Sequence, residues 1–212
     1  MQALLISSLV TALANLVVFS ALPVLWWWVR HRREGGFFRW VGLYRPRLQS
    51  SVWVLAVFAV GYGFFYNFDF TRLADPETLA YLESSAQVSA NVYAGMGAAA
   101  IPAALVESFA ANGLAEEILF RGFLCRRLCA RFGSMPGILM QGVLFGLMHN
   151  LLYLAAGMQV GLWYHLLVFG FTGMGALLLG WLDQRIFNGS IWPSVLLHGA
   201  GNFLSSMLVA FG

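Results

Sequence analysis

Glu116, Glu117 and Arg121 lie within Glu-Glu-Ile-Leu-Phe-Arg, a charged group set inside a segment that otherwise reads as membrane-buried. Two later apolar segments each add a histidine, with Phe145 and His149 four residues apart in one and His198 and Asn202 four apart in the other. A charge in the middle of a bilayer costs at least about 2.5–3.5 kcal/mol on insertion scales, so three such groups together need a reason. Carboxylates and histidines are the side chains that move protons in catalysis. Their presence where polar groups ought to be absent makes the chain a candidate intramembrane enzyme.

Depth and helical phase test that reading. At 1.5 Å per residue, Glu116 lies roughly 16 Å from the Arg127 end of its helix and His149 roughly 18 Å from the helix start near residue 137. Asn202 lies roughly 18 Å from Ser190, and His198 about one turn lower, at roughly 12 Å. All four fall near the middle of a hydrocarbon core about 30 Å thick, as one shared site requires. Glu117 and Arg121 are at i,i+4 and can pair. Glu116 is turned about 100° from Glu117, which leaves it free to face a cavity. His198 and Asn202 point the same way, and Phe145 is placed to wall the pocket. Gly142, Gly146, Gly199 and Gly201 flank these residues and allow close helix approach.

Composition sets the class of protein around this site. Of 212 residues, 60% are hydrophobic and 10% charged, against roughly 25% charged in ordinary soluble domains. Every basic residue other than histidine is arginine, and the net charge of +3 is too small to argue for nucleic acid as a partner. Cys125 and Cys129, four apart on a predicted helix, read as small apolar helix residues, with lipidation or redox chemistry as the other options.

Six apolar runs, about 3–29, 50–66, 95–127, 137–155, 160–182 and 190–211, each approach the length of a spanning helix. The expected fold is therefore an all-α, polytopic membrane helix bundle of about six transmembrane helices. The first run lacks a basic start and ends in Trp26-Trp27-Trp28 followed by Arg30 two residues on, so it reads as an uncleaved anchor with an interfacial aromatic belt. The third run is long and contains Pro102, Asn112 and Gly113, which predicts a broken third helix, or a short outer segment followed by the helix that carries Glu116. Residues 67–90 are polar and could form a short amphipathic helix on the outer surface. No separate soluble domain, repeat or low-complexity tract is visible; residues 1–212 read as one membrane domain, with N-terminal helices over 1–90 and the catalytic core over 91–212.

Arginine placement orients the bundle. Arg30, Arg32, Arg33, Arg39, Arg45 and Arg47 face Glu34 alone in one connection, whereas Asp69, Asp75, Glu77 and Glu83 face Arg72 in the next. Positive-inside bias puts the first of these, with Arg126, Arg127, Arg131 and Arg185, in the cytoplasm and both termini outside. The setting expected is a prokaryotic inner membrane.

With these residues in hand, the chain resembles the CAAX-processing and bacteriocin-immunity membrane proteases, the Abi or CPBP family of type II CAAX prenyl endopeptidases. Their signature is Glu-Glu-x-x-x-Arg, Phe-x-x-x-His and His-x-x-x-Asn on successive helices. Here it stands as Glu116-Glu117 with Arg121, Phe145 with His149, and His198 with Asn202, in order and complete, within the C-terminal half of the chain. The resemblance implies an intramembrane endopeptidase of glutamate type. It gives Glu116 and His149 the activation of water and His198 and Asn202 the stabilisation of the oxyanion. Glu117 and Arg121 then orient the site. It also implies membrane lipids and a membrane-anchored or lipidated peptide substrate as partners.

The chemistry is consistent with the residues themselves. Burial disfavours the charged form of a carboxyl and moves it toward the range where a base works at neutral pH. No cofactor is expected. The alternative within enzymes is zinc held by Glu116, His149 and His198, a His₂Glu ligand set with an open fourth position; against it, Glu117 is matched to Arg121, and Asn202 is a poor zinc ligand but a good oxyanion donor. Outside enzymes, the same polar cluster could serve a transporter or an immunity protein, although the paired broken helices of many transporters are not visible. His165 and His31 read as packing and solvated residues, and Glu107 as an intramembrane carboxylate with no assigned role.

Overall fold

A computed structural model describes residues 2–46, 52–66, 68–85 and 88–212. Arg47 of the arginine-rich connection, residues 50 and 51 of the second apolar run and residues 67, 86 and 87 of the acidic connection lie outside them. The described residues form an all-α polytopic bundle without strands. Its helices are α1 (Gln2–Arg30), a one-turn α2 (Phe37–Trp40), α3 (Val52–Tyr66) and α4 (Pro76–Ser84), followed by α5 (Gly97–Phe132), α6 (Ser134–Ala155), α7 (Leu162–Ile186) and α8 (Trp192–Phe211). Helices α1, α5, α6, α7 and α8 are long and apolar enough to cross a membrane, and α3 contributes a shorter apolar helix. The six apolar runs of the sequence thus each become a helix. On α1, Val10, Leu13, Val17 and Val18 are all more than 60% exposed, an apolar face that only lipid can solvate.

Helix α5 departs from the expected break. It is continuous, but residues 106–114 and 118–125 wind with π geometry, and Ala115–Glu117 forms a short α stretch between them. Pro102 sits in the first turn of the α stretch Ile101–Leu105, where a missing N–H costs no helical hydrogen bond. Asn112 and Gly113 fall inside the first wide stretch, so the interruption read from the sequence takes the form of a register change. Wide turns are uncommon and recur at functional sites. In this one, Asn15 of α1 donates its side-chain N–H to the Ala111 carbonyl at 3.1 Å, occupying a backbone acceptor within the wide turn.

Glycines set the helix spacing that holds the site. A methyl group on Gly142 of α6 would lie 2.5 Å from Leu177 of α7, one on Gly146 would lie 2.6 Å from the Phe169 carbonyl, and one on Gly199 of α8 would lie 2.4 Å from Phe109 of α5. Without a hydrophobic force between helices in lipid, such contact distances supply the association.

Hydrogen bonds tie the connections together at the two ends of the bundle. At the arginine-rich end, the Ile191 amide donates to the Gly42 carbonyl at 3.0 Å and Ser190 Oγ to the Tyr44 carbonyl at 2.8 Å. At the acidic end, Trp163 Nε1 donates to the Leu73 carbonyl at 2.8 Å and the Gly161 amide to Thr78 Oγ1 at 3.2 Å. The polar connection there does form a short helix, α4, with Asp75 as its N-cap accepting from the Thr78 amide at 2.9 Å. That hydrogen bond favours the charged carboxylate and holds Asp75 below its ordinary pKa.

The orientation expected from the sequence predicts a labelling pattern. In a variant free of Cys125 and Cys129, single substitutions Trp40→Cys and Asp75→Cys should react with an impermeant thiol reagent from opposite sides of the membrane, Asp75→Cys from outside. Labelling of both from one side would reject the six-span alternation.

Candidate active site

The site is built from α5 outward. Glu116 and Glu117 stand on the three-residue α stretch between the two π segments. Both are buried, and so is Arg121, which is only 1% exposed. Buried charge at this depth is tolerable only with partners. Arg121 Nε lies 3.0 Å from Glu117 Oε2, an ion pair at i,i+4, although the two atoms are not aligned as a hydrogen bond. The other oxygen of Glu117 accepts from His198 Nδ1 at 2.8 Å. Glu117 therefore connects α5 to α8 through one carboxylate, with a cation on one oxygen and an imidazole on the other. The guanidinium of Arg121 also lies over the Phe145 ring, 4.5 Å from its centroid.

Phe145 is the hub of the α6 side. Its ring centre is 4.5 Å from that of His149, 6.2 Å from that of His198 and 4.8 Å from that of Phe120. Phe145, expected as a pocket wall, packs its ring against both histidines and the arginine. His149 is half-buried, and its Nδ1 donates to the Phe145 carbonyl at 3.0 Å. That bond fixes the tautomer and leaves Nε2 as the ring's acceptor. Glu116 differs from Glu117. Its Oε2 is buried and meets no hydrogen-bonding protein group among the described residues. A buried carboxylate oxygen without a partner needs an explanation, such as a water or substrate group.

Asn202 follows His198 by one turn on the same face of α8. It lines a polar cavity of about 70 Å³ with Tyr93, Glu107, Ser108, Asn112, Ser205 and Ser206, room for at least two waters. Glu116, His149 and His198 are not among its lining residues. The structure therefore gathers Glu117, Arg121, Phe145, His149 and His198 into one contact cluster, while Asn202, one turn further along α8, lines a second polar space. Glu107, unassigned from the sequence, anchors this space: its Oε2 accepts from Tyr93 at 2.8 Å and from Ser8 of α1 at 3.3 Å.

Two buried residues near the cluster carried no usable sequence signal. Asp183 at the end of α7 is fully buried, accepts from Ser194 Oγ at 2.6 Å, and lies within electrostatic reach of Glu117 and Arg121. In the sequence it stands two residues from Arg185 and reads as part of a loop. Tyr62 of α3 is 4% exposed and in electrostatic reach of Arg121, Glu117 and Glu116. It is one aromatic among many in its run. His165 is held in a reciprocal pair with Asn150, Nδ1 to Oδ1 at 2.7 Å and Asn150 Nδ2 to the His165 carbonyl at 3.0 Å, which joins α6 to α7 and accounts for it as a packing residue.

Among the described residues, no three His, Cys, Asp or Glu side chains converge as ligands for a metal ion. The contact of His198 Nδ1 with Glu117 is one that a metal-binding imidazole would also make, but Glu116, His149 and His198 do not gather as a ligand triad.

Comparison with known proteins agrees with the three motifs. Neither curated proteins nor solved structures give a match to the chain. The model of the type II CAAX prenyl endopeptidase Rce1-like family matches residues 98–204, half of the chain and all of the cluster just described. With its apolar spanning helices, this places the chain in the Rce1-like type II CAAX prenyl endopeptidase family of integral membrane proteases.

Proposed function

We propose that the protein is a metal-free, glutamate-dependent intramembrane endopeptidase that cleaves a short C-terminal tail from a lipid-modified or membrane-anchored substrate. The observation that carries the mechanism is the buried Oε2 of Glu116, which has neither a hydrogen-bond donor nor an ion-pair partner among the described residues, beside Glu117, whose two oxygens face Arg121 and His198. Glu116 takes a proton from water, with His149 Nε2 as a second acceptor. The hydroxide oxygen bonds to the scissile carbonyl carbon, and the carbonyl oxygen becomes an oxyanion that accepts from Asn202 and His198. Collapse breaks the C–N bond, and the proton held by Glu116 passes to the leaving amine.

The contact between Glu117 and His198 refines the second half of that scheme. With Nδ1–H directed at Glu117, His198 donates to the oxyanion from Nε2 only as the doubly protonated ring, whose positive charge then faces the Glu117 carboxylate. Glu117 is therefore a positioning residue with an electrostatic duty. Removal of one oxyanion donor costs on the order of 10²–10³ in rate, so Asn202 and the His198–Glu117 pair are worth several kcal/mol of barrier.

The test is hydrolysis of peptides in proteoliposomes, followed by mass spectrometry. A prenylated peptide with a three-residue tail, its unmodified counterpart and an acylated counterpart would be compared. Cleavage beside the lipidated residue, unaffected by a chelator and with no zinc in the purified protein, is the expected result. Chelator-sensitive cleavage with one zinc per chain would replace the glutamate mechanism. Solute flux without cleavage would reject proteolysis.

A further inference from the structure

At the arginine-rich end of the bundle, Arg39, Tyr44, Arg45, Pro46, Arg126 and Asn188 line a cavity of about 750 Å³, in the range of small-molecule sites. Three guanidiniums share it, and among the described residues no carboxylate lines it. Arg39, Arg45 and Arg126 have no acidic partner among the described residues: Glu34, the acid nearest Arg39 and Arg45 in sequence, is taken by His31 at 2.9 Å, and Glu117, the one nearest Arg126, faces Arg121 and His198. Like charges converge here without the counterions a protein ordinarily supplies.

The walls are held in place from several directions. Tyr44 donates its hydroxyl to the Asn188 carbonyl at 2.6 Å, and Arg126 donates from one terminal nitrogen to the Gly189 carbonyl at 2.9 Å. Asn188 sits at φ 54°, a left-handed conformation that asparagine tolerates better than most residues. Gly42, at φ 95°, leaves no room for a side chain, since a methyl there would lie 2.7 Å from the Gly189 carbonyl and 2.9 Å from Arg126. The connection after α2 and the turn before α8 are thus locked face to face with Arg126 between them.

Position in the fold selects among anions. Trp26, Trp27 and Trp28 at the end of α1, and Trp40 beneath Arg127 at 4.3 Å, mark the depth of the membrane–water interface. Val41, Ile118, Ile191 and Val195, none of which lines the cavity, form a buried apolar cluster where the Ile191 amide meets the Gly42 carbonyl. Guanidinium forks match the oxygens of a phosphate, and anionic leaflets attract basic groups at this depth.

We propose that this cavity binds the phosphate of an anionic phospholipid headgroup, with Arg39 and Arg45 as the capturing groups and Arg126 as the fixed one. The lipid holds the α2 connection against the turn before α8, on whose helix His198 stands. The proposal needs no substrate and stands apart from the proteolytic reading.

Native mass spectrometry of the purified full-length protein tests it, with phosphatidylglycerol, phosphatidylcholine and inorganic phosphate as probes. The wild type should retain phosphatidylglycerol and gain thermal stability from it, with no comparable effect of phosphatidylcholine. Arg39→Gln/Arg45→Gln leaves the Arg126 hydrogen bond intact and should weaken phosphatidylglycerol binding by at least about tenfold, the scale of one lost charge-assisted hydrogen bond. Arg32→Gln/Arg33→Gln removes the same charge outside the cavity and should bind as the wild type does. Equal loss in both double variants, or none in the first, overturns the site. Stabilisation by inorganic phosphate equal to that by phosphatidylglycerol overturns the lipid as its source.

Discussion

Glu116→Gln should lower hydrolysis by at least about 10²-fold, the low end of a general-base contribution, with the protein still folded. The substitution keeps the shape of the side chain and removes its basicity. Folding should survive because the structure gives Glu116 no ion-pair partner, and its Oε2 engages no protein donor among the described residues. The loss should appear in kcat, since the proton is taken in the transition state. His165→Ala serves as the reference: it breaks the reciprocal bond with Asn150, which includes none of the residues assigned to the chemistry, and should retain most turnover. Normal cleavage by Glu116→Gln together with a dead His165→Ala would place the chemistry on other residues.

A different failure is expected of Glu117→Gln. It strands Arg121, 1% exposed, and takes the negative charge away from His198 Nδ1. Breaking a buried pair by removing one partner typically costs about 3–5 kcal/mol. Loss of activity should therefore come with loss of thermal stability and yield. The double variant Glu117→Gln/Arg121→Met discriminates, because it removes the uncompensated cation and should recover stability without recovering activity. If Glu117→Gln is as stable as the wild type, the buried pair is not what holds α5 and α8 in place.

The sequence conveyed the bundle because runs such as 190–211 have no reading other than a spanning helix, and it conveyed the cluster because charge stands out against such a background. The pairing of Glu117 with Arg121 followed from i,i+4 spacing and is found at 3.0 Å. The contact of Glu117 with His198 joins residues 81 positions apart and depends on how closely Gly199 lets α8 approach, which no local pattern encodes. Asp183 was hidden because a carboxylate near a helix end looks solvated until the neighbouring helix covers it. Tyr62 was hidden by the aromatic residues around it. Nor do residues 106–125 carry a propensity that distinguishes π from α winding; packing decides it.

That packing has a mechanical consequence. Each wide stretch of α5 contains a glycine pressed by a neighbour: a methyl on Gly113 would lie 3.1 Å from the Val195 carbonyl of α8, and one on Gly122 would lie 2.5 Å from Val41. The helix is therefore keyed at two points, like a shaft held by bearings on either side of the stretch that bears Glu116 and Glu117. Because moving a wide turn by one residue swings the intervening side chains by about 100°, the azimuth of the carboxylate pair is set from outside α5. One of the two bearings belongs to the helix that carries His198, so base and oxyanion group are indexed to each other by backbone contact as well as by their side chains.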